Sequence, residues 1–194
     1  VRRIVGVKFR LGLFESPHTD PAALPPVASE ESLATARRAA RRGIVLLTNP
    51  HRVLPLSLGN LRSLAVIGPL ADAPDDQLGT WVFDGDPGLS VTPLQAIREL
   101  GAGRLELRYL RALETSRSRD TREFADAAAL AEQSDATILF LGEEAILSGE
   151  AHCRADISLP GAQAELVARV RQAGKPLIVV ILAGRPLTLA NTAD

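Results

Sequence analysis

The chain is predicted to be an α/β protein with a mostly parallel sheet covered by helices on both faces. Three observations predict it. Short apolar runs of strand length alternate with longer segments of helical period. Most of those runs stop at a glycine or turn signal instead of fading out. The hydrophobic content is 46% but only 4% of residues are aromatic, so the core must be built from Leu, Val, Ile and Ala.

Residues 1–28 are expected to be an extended connector. Val1 to Phe14 mixes apolar and basic residues around Gly6 and Gly12, and Pro17, Pro21, Pro25 and Pro26 forbid a continuous helix after it. Residues 29–194 form the folded domain. Ser29 caps a helix with Glu30 and Glu31 in its first turn, running to about Arg42. Its Arg37-Arg38 and Arg41-Arg42 pairs suit either a solvated face or a phosphate patch, and the near-neutral net charge favours the first. Gly43 ends the helix, and Ile44-Val45-Leu46-Leu47 is predicted to be a strand before the Asn49-Pro50 turn.

Leu64 to Pro69 is a second, buried strand ending at a glycine. Asp72 to Asp76 is an acidic loop, and Leu78 to Ser90 is irregular, with three glycines around Trp81 and Phe83. Thr92 and Pro93 cap and open a helix to Leu100. Leu105 to Leu110 alternates as a strand, Thr121 to Gln133 is an alanine-rich helix, and Ala136 to Leu141 is a buried strand. Pro160 to Ala173 is helical and capped by Gly174. Leu177 to Leu182 is the most apolar strand, and Leu187 to Asp194 trails off.

A net charge of −1 predicts no general attraction to nucleic acid or an anionic membrane, and no transmembrane run is visible. The single cysteine, Cys153, forbids an internal disulfide without fixing the compartment. The chain has no methionine, even at position 1, which predicts a piece of a longer protein. Neither GxGxxG nor GxxxxGK[ST] occurs, so a nucleotide fold lacks its fingerprints, and no GxSxG elbow marks a serine hydrolase. His18, His51 and His152 are scattered, so no metal site is expected.

The chemistry concentrates where the 136–141 strand stops. A parallel sheet presents its ligands just beyond the carboxyl ends of its strands. The loop 143–157 holds Glu143, Glu144, Glu150, His152, Cys153, Arg154 and Asp156. Glu143, directly at the strand end, either hydrogen-bonds the loop or meets an incoming hydroxyl. Glu144 is expected to be plain surface. Arg154 either orients Glu150 or pairs with Asp156. Trp81 offers a flat apolar face for a sugar ring and an N–H for a hydroxyl, or else fills a core. Cys153 has no feature that would activate its thiol.

Five stretches, in order, resemble the linker and second domain of glycoside hydrolase family 3, the β-glucosidase and β-xylosidase family. They are Lys8 to Phe14; Gly43 to Asn49 with Leu54-Pro55-Leu56; Val66-Ile67-Gly68-Pro69 to Gly79-Thr80-Trp81; Gly142-Glu143 through Glu150 and Arg154 to Leu159-Pro160 with Gln163; and Lys175-Pro176 to Gly184-Arg185-Pro186. The resemblance covers essentially the whole chain. It implies a six-stranded α/β sandwich, here incomplete at its C-terminus, behind an upstream (β/α)8-type barrel that carries a nucleophilic aspartate. It implies Glu150 as the acid/base of retaining hydrolysis, with no cofactor, and Trp81 as a clamp on the sugar beyond the cleavage point. With Glu143 and Arg154, these are the candidate catalytic and substrate-binding residues. Family members often show Ser-Glu-Gly-x-Asp-Arg, where this chain has Gly149-Glu150-Ala151-His152-Cys153-Arg154. The implied ligands are β-linked oligosaccharides or aryl β-glycosides, and the resemblance favours a periplasmic or secreted parent. A non-catalytic carbohydrate-binding or scaffold module of the same fold is the alternative.

Overall fold

In the computed structural model, residues 1–190 are described. They divide into two compact units, Val1–Leu47 and Thr48 onward.

The first unit is helical. Helix α1 spans Arg2–Arg10, where an extended connector was expected. Its arginines and lysine favour helix enough to tolerate Gly6, and the proline-rich stretch begins only after it. Helix α2, Glu30–Gly43, starts as the sequence predicts, with the Ser29 hydroxyl accepting from the Ser32 N–H at 3.3 Å. Ile44 to Leu47 is not a strand. All four side chains are exposed, and the segment joins no ladder among the described residues. Apolar β-branched composition makes a strand only where a neighbour supplies hydrogen bonds.

The second unit carries the sheet. Strands β1 (Ser63–Ile67), β2 (Glu106–Leu110), β3 (Ala136–Gly142) and β4 (Leu177–Leu182) are all parallel, in the order β2-β1-β3-β4. The fold class is as predicted, with four strands among the described residues. Between β1 and β2 lie a short helix, α3 (Pro74–Leu78), and α4 (Pro93–Gly101). The Thr92 hydroxyl caps α4 by accepting from the Gln95 N–H at 3.3 Å. Helix α5 (Phe124–Glu132) connects β2 to β3, and α6 (Gln163–Arg171) connects β3 to β4.

The period of two along each strand divides the core. Ala65, Ile67, Leu139 and Leu141 face Phe124, Ala127, Leu166, Val167 and Val170 of α5 and α6. Leu64, Val66, Ala136 and Phe140 face the other way, with Leu94 and Ile97 of α4. Each fully buried Val, Leu or Ile contributes about 1.5–3 kcal/mol. β4 pairs only with β3 among the described residues, so the most apolar strand is half-buried along its length. The expected tail is irregular to residue 190, and 191–194 lie outside the described residues. No helix among the described residues is long and apolar enough to cross a membrane.

Strand order fixes where a ligand can enter. The chain leaves β1 toward α4 on one face, and leaves β3 toward α6 on the opposite face. The two connections diverge between adjacent strands, which opens a crevice at their carboxyl ends.

Candidate active site

The crevice is a cleft of about 390 Å³ bordered by Asp76, Thr80, Trp81, Ser148, Gly149 and Gly184. Its walls are the connection after β1 and the loop after β3. The two are tied by the Asp76 carboxylate, which accepts from the Ala145 N–H at 2.8 Å. Gly149, at φ +111°, lies over Thr80, and a Cβ there would sit 2.8 Å from the threonine methyl. Trp81 is 63% exposed, which removes the core alternative and leaves an open aromatic residue at the cleft.

Glu150 follows Gly149 at the loop tip. It is exposed, and it makes no hydrogen bond or ion pair among the described residues. Ala151, next to it, adopts φ +64°, in the slot where the related motif carries glycine. A β-carbon in this region costs about 1–2 kcal/mol.

The loop is held at its roots instead. Glu143 follows the last β3 residue, and its N–H donates to the Leu182 carbonyl at 2.8 Å. Its side chain is fully buried beneath the cleft. One carboxylate oxygen takes a close hydrogen bond from Arg154 Nη1, and the other accepts from Arg185 Nε at 3.1 Å. Arg154 Nη2 donates to the Ser158 carbonyl at 3.0 Å. Arg185 Nη2 donates to the carbonyl of His152 at 2.8 Å and closely to that of Leu147.

The geometry chooses among the alternatives for both residues. Glu143 also borders the cleft, and both of its carboxylate oxygens are bonded by guanidiniums. Arg154 is ion-paired with Glu143, not with Glu150 or Asp156. Asp156 instead accepts from the Ser158 N–H at 2.8 Å; hydrogen bonds from Ser158, with help from the Arg154 charge, hold its carboxyl below the usual range.

Glu144 is not plain surface. It accepts from the Ser116 hydroxyl at 2.6 Å and from Arg117 at 3.0 and 3.2 Å. Burial pushes its carboxyl up, but the bonds from Arg117 and Ser116 outweigh burial and leave it below its ordinary value of 4.5.

Two residues escaped the sequence reading as parts of the site. Gln163 was noted only as a motif match. Its buried amide accepts from the Gly142 N–H and donates to the carbonyls of Gly142 and Ser116, each at 2.8 Å, and of Pro160 at 3.0 Å. Arg185 likewise entered only within a motif match, as an arginine set between Gly184 and Pro186.

Comparison with known proteins agrees with this fold. Residues 44–194 match the glycosyl hydrolase family 3 C-terminal domain. The chain is 32% identical to a β-xylosidase of Formosa agariphila over 99% of its own length and 27% of that protein's. It is 30% identical to a periplasmic β-glucosidase of Salmonella typhimurium over 98% and 28%. The crystal structure of a β-glucosidase from Listeria innocua in complex with isofagomine superposes with a TM-score of 0.83 at 31% identity, over 98% of this chain and 26% of that one. The chain thus spans about a quarter of the length of these relatives. A parallel α/β sheet with a cleft at its carboxyl edge, and a family match over most of the sequence, identify the chain as belonging to glycoside hydrolase family 3, as its C-terminal domain.

Proposed function

We propose that this chain is the acid/base-bearing half of a retaining, exo-acting β-glycosidase, with Glu150 as the acid/base. The observation that carries this reading is the loop itself. It is anchored at both roots, yet it presents at its tip one carboxyl without a partner among the described residues, beside a cleft walled by an exposed tryptophan.

Retaining hydrolysis needs two carboxyls about 5–5.5 Å apart. In the first step a carboxylate attacks the anomeric carbon while the protonated Glu150 gives its proton to the departing glycosidic oxygen. In the second, Glu150 takes a proton from water as that water attacks the glycosyl-enzyme. The nucleophile is the aspartate of an upstream (β/α)8 barrel, with residues 1–28 as the connector leaving that barrel. Trp81 stacks on the leaving sugar or aryl group. The substrates are β-linked oligosaccharides or aryl β-glycosides, and no cofactor takes part. The isolated chain is then inactive, because half the catalytic pair is missing.

In the full-length enzyme, Glu150→Ala is expected to lower kcat on aryl β-glucosides or β-xylosides by about 100-fold or more. Azide, a small nucleophile that needs no general base, restores part of the rate. Unchanged rates in this variant refute the assignment. The exposed Trp81 also suits a non-catalytic carbohydrate-binding module. Titrating the isolated chain with glucose or cellobiose separates the two: tight binding without a barrel favours the module.

A further inference from the structure

Glu143 is the one charged residue that is buried among the described residues. Its carboxylate faces two guanidiniums from distant parts of the chain, Arg154 within the loop and Arg185 after β4. Two guanidiniums cannot sit side by side under a loop without a counter-charge, and Glu143 supplies it. Their remaining N–H groups hold backbone carbonyls on either side of the loop tip. Arg185 takes Leu147, three residues before Glu150, and His152, two residues after it. Arg154 takes Ser158, where the loop returns to the fold. Every one of these bonds is to backbone, so they constrain the path of the loop while leaving the Glu150 side chain free.

We propose that Glu143 is the positioning residue for Glu150: through Arg154 and Arg185 it sets where the loop tip stands, and so where the proton is delivered. The proposal rests on the reading of Glu150 as the acid/base. Proton donation requires the carboxyl within hydrogen-bond reach of the leaving oxygen, and a displacement near 1 Å removes much of its benefit.

The test uses the full-length enzyme and the leaving-group dependence of kcat/KM. A 2,4-dinitrophenyl glycoside departs without a proton, whereas a disaccharide such as cellobiose or xylobiose does not. Glu143→Gln keeps the shape and removes the charge. Arg185→Lys keeps the charge and removes the forked hold on Leu147 and His152. Both are expected to lower kcat/KM on the disaccharide by about 100-fold while leaving the dinitrophenyl glycoside within about three-fold of wild type. Equal losses on both substrates, or wild-type rates on both, overturn the proposal. If Glu143→Gln does not fold, Arg185→Lys decides by the same ratio. Glu150→Ala is the control. If it lacks the selective loss, the acid/base reading itself fails; if it shows the loss and the other two variants do not, only the positioning role fails.

Discussion

The ends of β1 and β3 use one backbone device and come to opposite uses. Each strand stops at a glycine in the left-handed half of φ space, Gly68 at +121° and Gly142 at +132°. At each, a β-carbon would collide with the neighbouring strand, 2.3 Å from the Phe140 carbonyl oxygen and 1.8 Å from that of Leu182. After Gly68 the chain continues as Pro69-Leu70-Ala71, all buried, and the strand end becomes core. After Gly142 it continues as Glu143-Glu144, and the strand end becomes a polar site.

The difference follows from strand length. β1 stops pairing with β3 at Ile67 and Leu139, and β3 runs on to Gly142 beside β4 alone. The Gly68 N–H still finds a strand carbonyl, that of Leu110 at 3.1 Å. The Gly142 N–H and carbonyl have lost their strand, and the Gln163 amide pairs with both as a peptide in a ladder would. An overhanging strand thus needs side-chain amides and charges to finish its hydrogen bonds. Those same groups hold the loop that carries Glu150.

The sharpest test of the shared device is glycine replacement. Gly142→Ala and Gly68→Ala are each expected to cost at least about 3 kcal/mol, from backbone strain and collision with a carbonyl, as read by urea unfolding. If Gly68→Ala is harmless, the two ends are not equivalent in backbone. Next in size is Gln163→Leu, which acts only on the β3 end. Stranding the Gly142 N–H and its neighbouring carbonyls is expected to cost about 2–4 kcal/mol, with faster hydrogen exchange at Gly142 and no change at Gly68. The smallest effect is pH-dependent. The Glu144 carboxyl is held below its ordinary value of 4.5 in the fold, so its bonds to Ser116 and Arg117 contribute fully above that pH. Their contribution fades as pH falls through the lower, folded value. Glu144→Gln is expected to flatten the acid side of a stability-against-pH curve below about 4.5 and to lower the plateau near neutrality, where the lost bonds contribute fully.

Much of the fold was legible because it is local. Alternation and apolar runs placed β1 to β4, and Ser29 and Thr92 marked the starts of two helices through hydroxyls bonded three residues on. A glycine followed by glutamates at the end of β3 located the site. Helix α1 and the failed strand at Ile44–Leu47 were misread because composition there is compatible with both states, and context chooses.

By itself, the sequence determined the parallel α/β class, the crevice at the strands' carboxyl ends, and the exposed placement of Glu150 in a loop after β3. These follow from periodicity, glycine and capping chemistry, which act over a few residues. Only the tertiary structure decided that Glu143 pairs with both Arg154 and Arg185, that Trp81 stands open, and that Gln163 completes the end of β3. Arg185 meets Glu143 across 42 residues and Gln163 meets Gly142 across 21. Such pairs exist because β4 and α6 pack against β3, and no local pattern encodes a partner that arrives only when the sheet is assembled.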